Sequence, residues 1–375
     1  MNTKPILSDE ERGKYIRLTG DLNGSKNVAV NRPCILEYMH KNYSSITKDT
    51  IFDLTKPNEG ITHPVETPVT WKSSLRRRDV KYHVEISTHD NFEDSVVFNG
   101  KADYPSQSTD NKNRIFITNL MIRRKYFFRV VGECKNGDRF CSETGEFTTD
   151  GTPARFVNWG DASNSRDAGG WKTVDGKYVR QGMLYRSGRL QNTNGDPVID
   201  QETQHYIINN FGLKTDVDLR GIWKDTLSVT KSLNGMMELV SAPISAYSDT
   251  FTNPETKNGL KIIFKTFADK SKYPMYIHCH GGADRTGIII FLLNGLLGVS
   301  LEDLIRDYEL TSFASIEDIR YRGSDQMAGF VNTLKDYGKV NGSDDLKKTI
   351  EHWLTDYVGV SAKEIDDIRN ILLEP

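Results

Sequence analysis

Residues 278–287 read His-Cys-His-Gly-Gly-Ala-Asp-Arg-Thr-Gly, and this segment constrains the chain more than any other. An apolar run, Met275-Tyr276-Ile277, leads in, and a near-continuous apolar run from Ile288 to Leu297 leads out. The pattern predicts a strand, a tight glycine-bearing loop and a buried helix. It puts Cys279 and Arg285, separated by five residues, at the mouth of a helix N-terminus.

A helix start exposes unpaired N–H groups and the positive end of the macrodipole, so it attracts anions. A short loop can wrap its amides around one tetrahedral oxyanion. His280, Gly281, Gly282, Ala283, Asp284 and Arg285 are therefore the candidate phosphate-binding residues. Gly281 and Gly282 allow φ values and close approaches that a Cβ would block. Arg285 carries a planar fork that holds two phosphate oxygens at once. The same positive field lowers the pKa of Cys279, and a thiolate is the nucleophile. Thr286 can donate its hydroxyl to that thiolate, and His278 can orient the loop from behind. The chemistry this builds is phosphate-ester cleavage through a cysteinyl-phosphate intermediate, with no metal and no cofactor. A metal reading of His-Cys-His fails because three consecutive residues cannot all face one ion from a strand end. No second Cys or His pair has ligand spacing either.

Cys-x5-Arg, with a preceding His and a following Thr-Gly, resembles the protein tyrosine phosphatase superfamily. The Asp-Arg-Thr-Gly ending is similar to a bacterial tyrosine/dual-specificity branch whose loop usually reads Cys-x-x-Gly-Lys-Asp-Arg-Thr-Gly. Ser165-Arg166-Asp167-Ala168-Gly169-Gly170-Trp171, Leu184-Tyr185-Arg186-Ser187-Gly188-Arg189-Leu190, Val217-Asp218-Leu219-Arg220 and Asp307-Tyr308-Glu309-Leu310-Thr311-Ser312 resemble further segments of that branch, in order. The resemblance covers residues 155–375. It implies an α/β fold, a central sheet flanked by helices, and hydrolysis of a phosphorylated substrate, a phosphoprotein or a small phosphate ester. The chain departs from the branch at Ala283, where the family usually has a lysine associated with phosphoinositide hydrolysis. Protein tyrosine/dual-specificity activity is the leading expectation, with inositol-phosphate or phosphoinositide hydrolysis as the alternative. A reading of another class is a catalytically weak phosphate-binding module. Intact Cys279, Arg285 and an aspartate argue against it.

The leaving oxygen needs a proton, so a carboxylic acid must face the sulfur. No Trp-Pro-Asp tripeptide, which carries that acid elsewhere in the superfamily, is present. Asp284, inside the loop, matches an aspartate implicated in catalysis in the resembling branch and is the favoured acid. Its structural alternative is a brace for the loop. Asp249, thirty residues before Cys279, is the second candidate, against a solvated loop acid. Arg186 and Arg189 could meet the phosphate or brace the loop, and Arg220 ends an apolar strand where α/β sheets place functional groups. The bland reading of all three is an ion pair with an acid such as Asp167 or Asp218.

At 375 residues the length predicts two or three domains. Residues 66–150 alternate β-rich runs with turn signals such as Asn136-Gly137. An early Trp71, then Asn119-Leu120 before a Tyr-x-x-Arg-Val strand, resembles a fibronectin type III-like all-β sandwich that positions the enzyme or binds a partner or glycan. Residues 1–65 are expected to add a strand to that sandwich or wrap it, and 151–375 to form the phosphatase domain. Cys134 and Cys141 flank the same turn, and a disulfide and two free thiols are both open. Helices are expected over 301–310, 344–358 and from Ser361, whose spacing to Glu364 fits a capping box. The connection carrying Arg320, Tyr321, Arg322 and Phe330 is the expected source of a substrate lid.

Net charge is −2 with well-mixed charges, so there is no basic footprint for nucleic acid. Arg76-Arg77-Arg78 reads as a solvated loop. No apolar stretch reaches a membrane span. The start, Met1-Asn2-Thr3-Lys4, reads as no signal peptide, which points to the cytoplasm; an exported form with its signal removed is the alternative.

Overall fold

The computed structural model describes residues 18–22, 24, 26–56, 63–73, 80–99, 113–222, 225, 227–314 and 318–375. The Arg76-Arg77-Arg78 run lies outside them. The chain divides into two compact units, Met1–Val30 with Pro64–Thr152, and Asn31–His63 with Pro153–Pro375.

The first unit is built from two sheets over one apolar core. Strands β1 (Leu18–Asp21), β3 (Thr67–Ser73) and β6 (Arg114–Ile117) form one sheet. β2 (Asn27–Val28), β4 (Val80–Ser87), β5 (Val96–Asn99), β7 (Lys125–Cys134), β8 (Arg139–Cys141) and β9 (Gly145–Thr149) form the other. Alternation along the strands turns Val69, Trp71, Ile115 and Ile117 from the first sheet, and Val84, Ile86, Phe128, Val130 and Phe147 from the second, into that core. The β7–β8 hairpin turns at Gly137, with φ +86°. Its register pairs Cys141 with Val131, three residues from Cys134, so the two cysteines do not face each other across the hairpin.

In the second unit a five-stranded sheet runs in the order β10 (Arg166–Asp167), β11 (Leu184–Ser187), β14 (Met275–His278), β12 (Thr215–Asp218) and β13 (Glu238–Ser241). All neighbours are parallel except the β10–β11 pair. Every residue of β11, β12 and β14 is buried, as expected of strands covered on both faces. The register aligns Ser187, His278 and Asp218, so the three strands end at one level. The residues that follow, Gly188-Arg189, Cys279-His280 and Leu219-Arg220, emerge side by side at the carboxyl edge of the sheet.

After β14 the chain makes one loop and enters α6 (Asp284–Leu297), whose residues from Arg285 onward are all buried. The helix ends at Gly298, with φ +94°, and Ser300 caps α7 (Leu301–Glu309). The helix expected over 344–358 is α9 (Leu346–His352) followed by a wider turn, Trp353–Val358. The Ser361–Glu364 capping box opens α10 (Ala362–Leu372).

Residues 31–63 depart from the expectation that 1–65 would join the sandwich. They form α1 (Pro33–His40) and α2 (Lys48–Thr55) and belong to the second unit. Cys34, Ile35, Tyr38, Ile46 and Ile51 enter its core. Tyr38 donates to Glu309 at 2.6 Å in the interior, and Arg306 donates to the Tyr38 and Lys41 carbonyls. Arg322 also pairs with Glu309, at 2.6 Å, and its guanidinium stacks 3.6 Å from the Tyr43 ring centroid. The physical reason is a buried carboxylate that needs partners from both segments.

Candidate active site

Cys279 follows β14 directly and is buried. Burial opposes ionisation of its thiol. The Arg285 charge and the Thr286 hydroxyl and amide outweigh that and hold the thiol below its ordinary range. Sulfur, guanidinium and helix start are thus brought together as the sequence pattern requires.

The loop backbone is fixed from behind. Arg186 donates to the Gly282 carbonyl at 2.6 Å, and Asn164 donates to the same oxygen at 2.9 Å. Arg186 is in turn held by Asp307 at 2.5 Å, and Arg166 donates to the other oxygen of that carboxylate at 3.0 Å. All three groups are buried. Removing one member of such a set strands a charge and costs about 3–5 kcal/mol. Gly282 is required at its position: φ is +65°, and a Cβ would lie 2.2 Å from the Ser187 carbonyl oxygen. Gly281 has neither constraint, with open space around an added Cβ and no positive φ.

His278 lies beneath the nucleophile. Its Nε2 is 3.0 Å from Asp216 and 3.4 Å from Asp218, and its Nδ1 donates to the Cys279 carbonyl at 2.8 Å. Burial disfavours the charged ring, but the two carboxylates prevail and push its pKa up to about 10. The imidazolium stacks on Tyr276 at 4.7 Å. Arg220 forks onto Asp218 and donates to the Gln191 carbonyl, so it is an ion-pair residue of the sheet edge. Arg189 reaches His280, Nη1 to Nε2 at 2.6 Å, and its amide donates to the His280 carbonyl.

Three carboxylates bear on the acid question. Asp284 opens α6 and is forked by Arg320 at 2.8 and 3.0 Å. It also accepts from the Tyr247 hydroxyl, which lies 2.8 Å from that of Tyr308. Burial and then Asp284 raise the Tyr247 pKa, so this phenol stays a donor. Tyr247 itself has φ +57°, an uncommon backbone state for an aromatic residue. Asp249 is exposed at the head of α4 (Asp249–Thr252). Among the described residues no hydrogen bond or ion pair joins its side chain to the loop. Asp225 was not anticipated from the sequence. Its Oδ2 lies 2.8 Å from Arg285 Nη2, and its Oδ1 accepts the Gly221 amide at 2.8 Å. Burial resists its charge, but Arg285 and that amide keep it below the ordinary carboxylate range.

The segment expected as a lid divides. Arg320 serves Asp284, while Phe330 lies in α8 (Asp325–Val340), fully buried against Phe291 and Phe251. It packs the core because Met327, Phe330, Val331 and Leu334 share one helical face.

The chain belongs to the tyrosine phosphatase family, whose sequence profile matches residues 157–374. A Cupriavidus necator protein provisionally named a tyrosine-protein phosphatase is 27% identical over 169 residues, 39% of this chain and 59% of that protein. The chain thus spans about three fifths of the length of that relative. The core catalytic domain of the PP-IP phosphatase Siw14 from S. cerevisiae, in complex with citrate, aligns at 18% identity over 44% of this chain and 92% of that one, with a TM-score of 0.27. A second structure of the Siw14 catalytic core gives 18% identity, coverages of 42% and 87%, and a TM-score of 0.28.

Proposed function

We propose that this chain hydrolyses phosphate monoesters, with phosphotyrosine and phosphoserine/threonine proteins as its leading substrates, by a cysteinyl-phosphate route. The observation that carries the reading is a thiol held below its ordinary range beside a guanidinium, at the start of a helix. In the first step the Cys279 sulfur attacks phosphorus, the P–O bond to the leaving group breaks, and the leaving oxygen takes a proton from Asp284. In the second step water attacks phosphorus while passing a proton to the Asp284 carboxylate, the P–S bond breaks, and inorganic phosphate departs with the Cys279 thiolate and the Asp284 acid both restored. Arg285 gains contacts as the phosphoryl group becomes trigonal bipyramidal, so it stabilises the transition state. Arg186, Asn164 and Asp307 are positioning residues that keep the loop in shape. His278 acts through the Cys279 backbone.

The first unit is read as a fibronectin type III-like module that binds a partner or glycan. The Tyr126 hydroxyl, which accepts the Met121 amide at 2.9 Å, supports the fold part of this reading as a tyrosine-corner contact. The test of the hydrolytic reading is Cys279→Ser. It should abolish turnover of p-nitrophenyl phosphate while phosphate still binds, and EDTA should leave the unsubstituted enzyme at full rate. Hydrolysis by the Ser variant near the parent rate overturns the reading.

A further inference from the structure

Four arginines at the loop, Arg186, Arg220, Arg285 and Arg320, each lie within ion-pair distance of an aspartate. Arg189 differs. Among the described residues its side chain has His280 as partner and no carboxylate. A guanidinium only donates, so His280 Nε2 must accept and the ring is neutral. Burial and the charges of Arg189, Arg220 and Arg285 push the His280 pKa down, consistent with that state. The Arg189 charge is therefore left unbalanced, half-exposed, beside the residue that follows the nucleophile.

We propose that Arg189 determines specificity by taking a second anionic group of the substrate, a phosphate borne next to the scissile one. The inference rests on the hydrolytic reading above and deepens it. Nη1 can keep its bond to His280 while the remaining N–H groups of the fork meet the second phosphate. His280, whose carbonyl accepts from the Arg189 amide and whose Nε2 accepts from the guanidinium, holds that group beside the loop. The shared chemistry is two neighbouring phosphates, on a small polyol or on adjacent residues of a peptide.

The test compares kcat/KM of the full chain on p-nitrophenyl phosphate, a singly phosphorylated peptide, the same peptide with two adjacent phosphorylated residues, and inositol hexakisphosphate. The unsubstituted enzyme should prefer one of the last two over the singly phosphorylated peptide, and the preferred arm identifies the source. Arg189→Met should reduce that preference about tenfold, the scale of one charge-assisted contact, through KM rather than kcat. Arg189→Lys should restore part of it. If the Met variant melts early, Arg189→Gln takes its place. Hydrolysis of p-nitrophenyl phosphate with the same preference in enzyme and variant overturns the role of Arg189 and leaves the hydrolytic reading standing. An absence of turnover on every substrate overturns both.

Discussion

Asp225 lies 2.8 Å from the Arg285 guanidinium, the group that lowers the Cys279 pKa. One arginine thus serves a carboxylate and the nucleophile together. A phosphate on the loop meets the Asp225 charge as well as that of Arg285. Asp225→Asn removes the repulsion but also loosens the alignment of Arg285. Inhibition by inorganic phosphate should therefore strengthen several-fold while kcat falls about tenfold. Weaker phosphate inhibition at unchanged kcat contradicts this account.

The two acids of the sequence reading separate by leaving group. If Asp284 gives the proton, Asp284→Asn slows alkyl phosphates far more than p-nitrophenyl phosphate, whose phenolate hardly needs one. Asp249→Asn leaves both near the parent rate. The reverse pattern makes Asp284 a brace for Arg320 and Tyr247 and moves the acid upstream.

Part of the site is legible in the sequence. The strand, loop and helix around Cys279 follow from an apolar run, glycines and a second apolar run, because all the information is local. Partners distant in sequence are not. Asp307 binds Arg186 and Arg166 from 121 and 141 residues away; the family resemblance places its segment beneath the loop, but residue spacing alone does not pair it with the two arginines. Asp225 sits alone after Gly-Ile-Trp-Lys with no spacing to mark it. Residues 31–63 form two eight-residue helices, too short for periodicity to assign to a core. Phe330 was readable: its helical spacing with Met327 and Leu334 signals burial, which a lid does not require.

The second unit draws core residues from 31–63, which changes what a truncation should do. A fragment from residue 151 onward loses Tyr38, the buried partner of Glu309, and the apolar contacts of Ile35 and Ile51. It should be insoluble or melt well below the full chain, because a buried carboxylate left with Arg322 but without its Tyr38 donor, and an open core face, both cost stability. A fragment with the full-chain melting temperature and rate would show that these contacts contribute little.

The pKa shifts give two pH signatures. The Cys279 thiolate exists above its lowered pKa, so the acid limb of kcat/KM should lie below the ordinary thiol range. Thr286→Val removes a hydroxyl that favours the thiolate and should move that limb to higher pH; an unmoved limb denies the role of Thr286. His278 is raised from 6.5 to about 10. Its stabilisation is complete below 6.5 and is lost as pH rises through about 10. Urea unfolding should show stability falling from neutral pH toward that value, and His278→Asn should flatten the slope. An equal slope in both proteins assigns it elsewhere.

The most direct measurement of the central claim is acid quenching during turnover of p-nitrophenyl phosphate, followed by mass spectrometry of the peptide containing Cys279. The cysteinyl-phosphate mechanism predicts a burst of p-nitrophenolate and a phosphate mass on Cys279, absent in Cys279→Ser. Steady turnover without a burst, with no phosphate on that peptide and with full inhibition by EDTA, would contradict it.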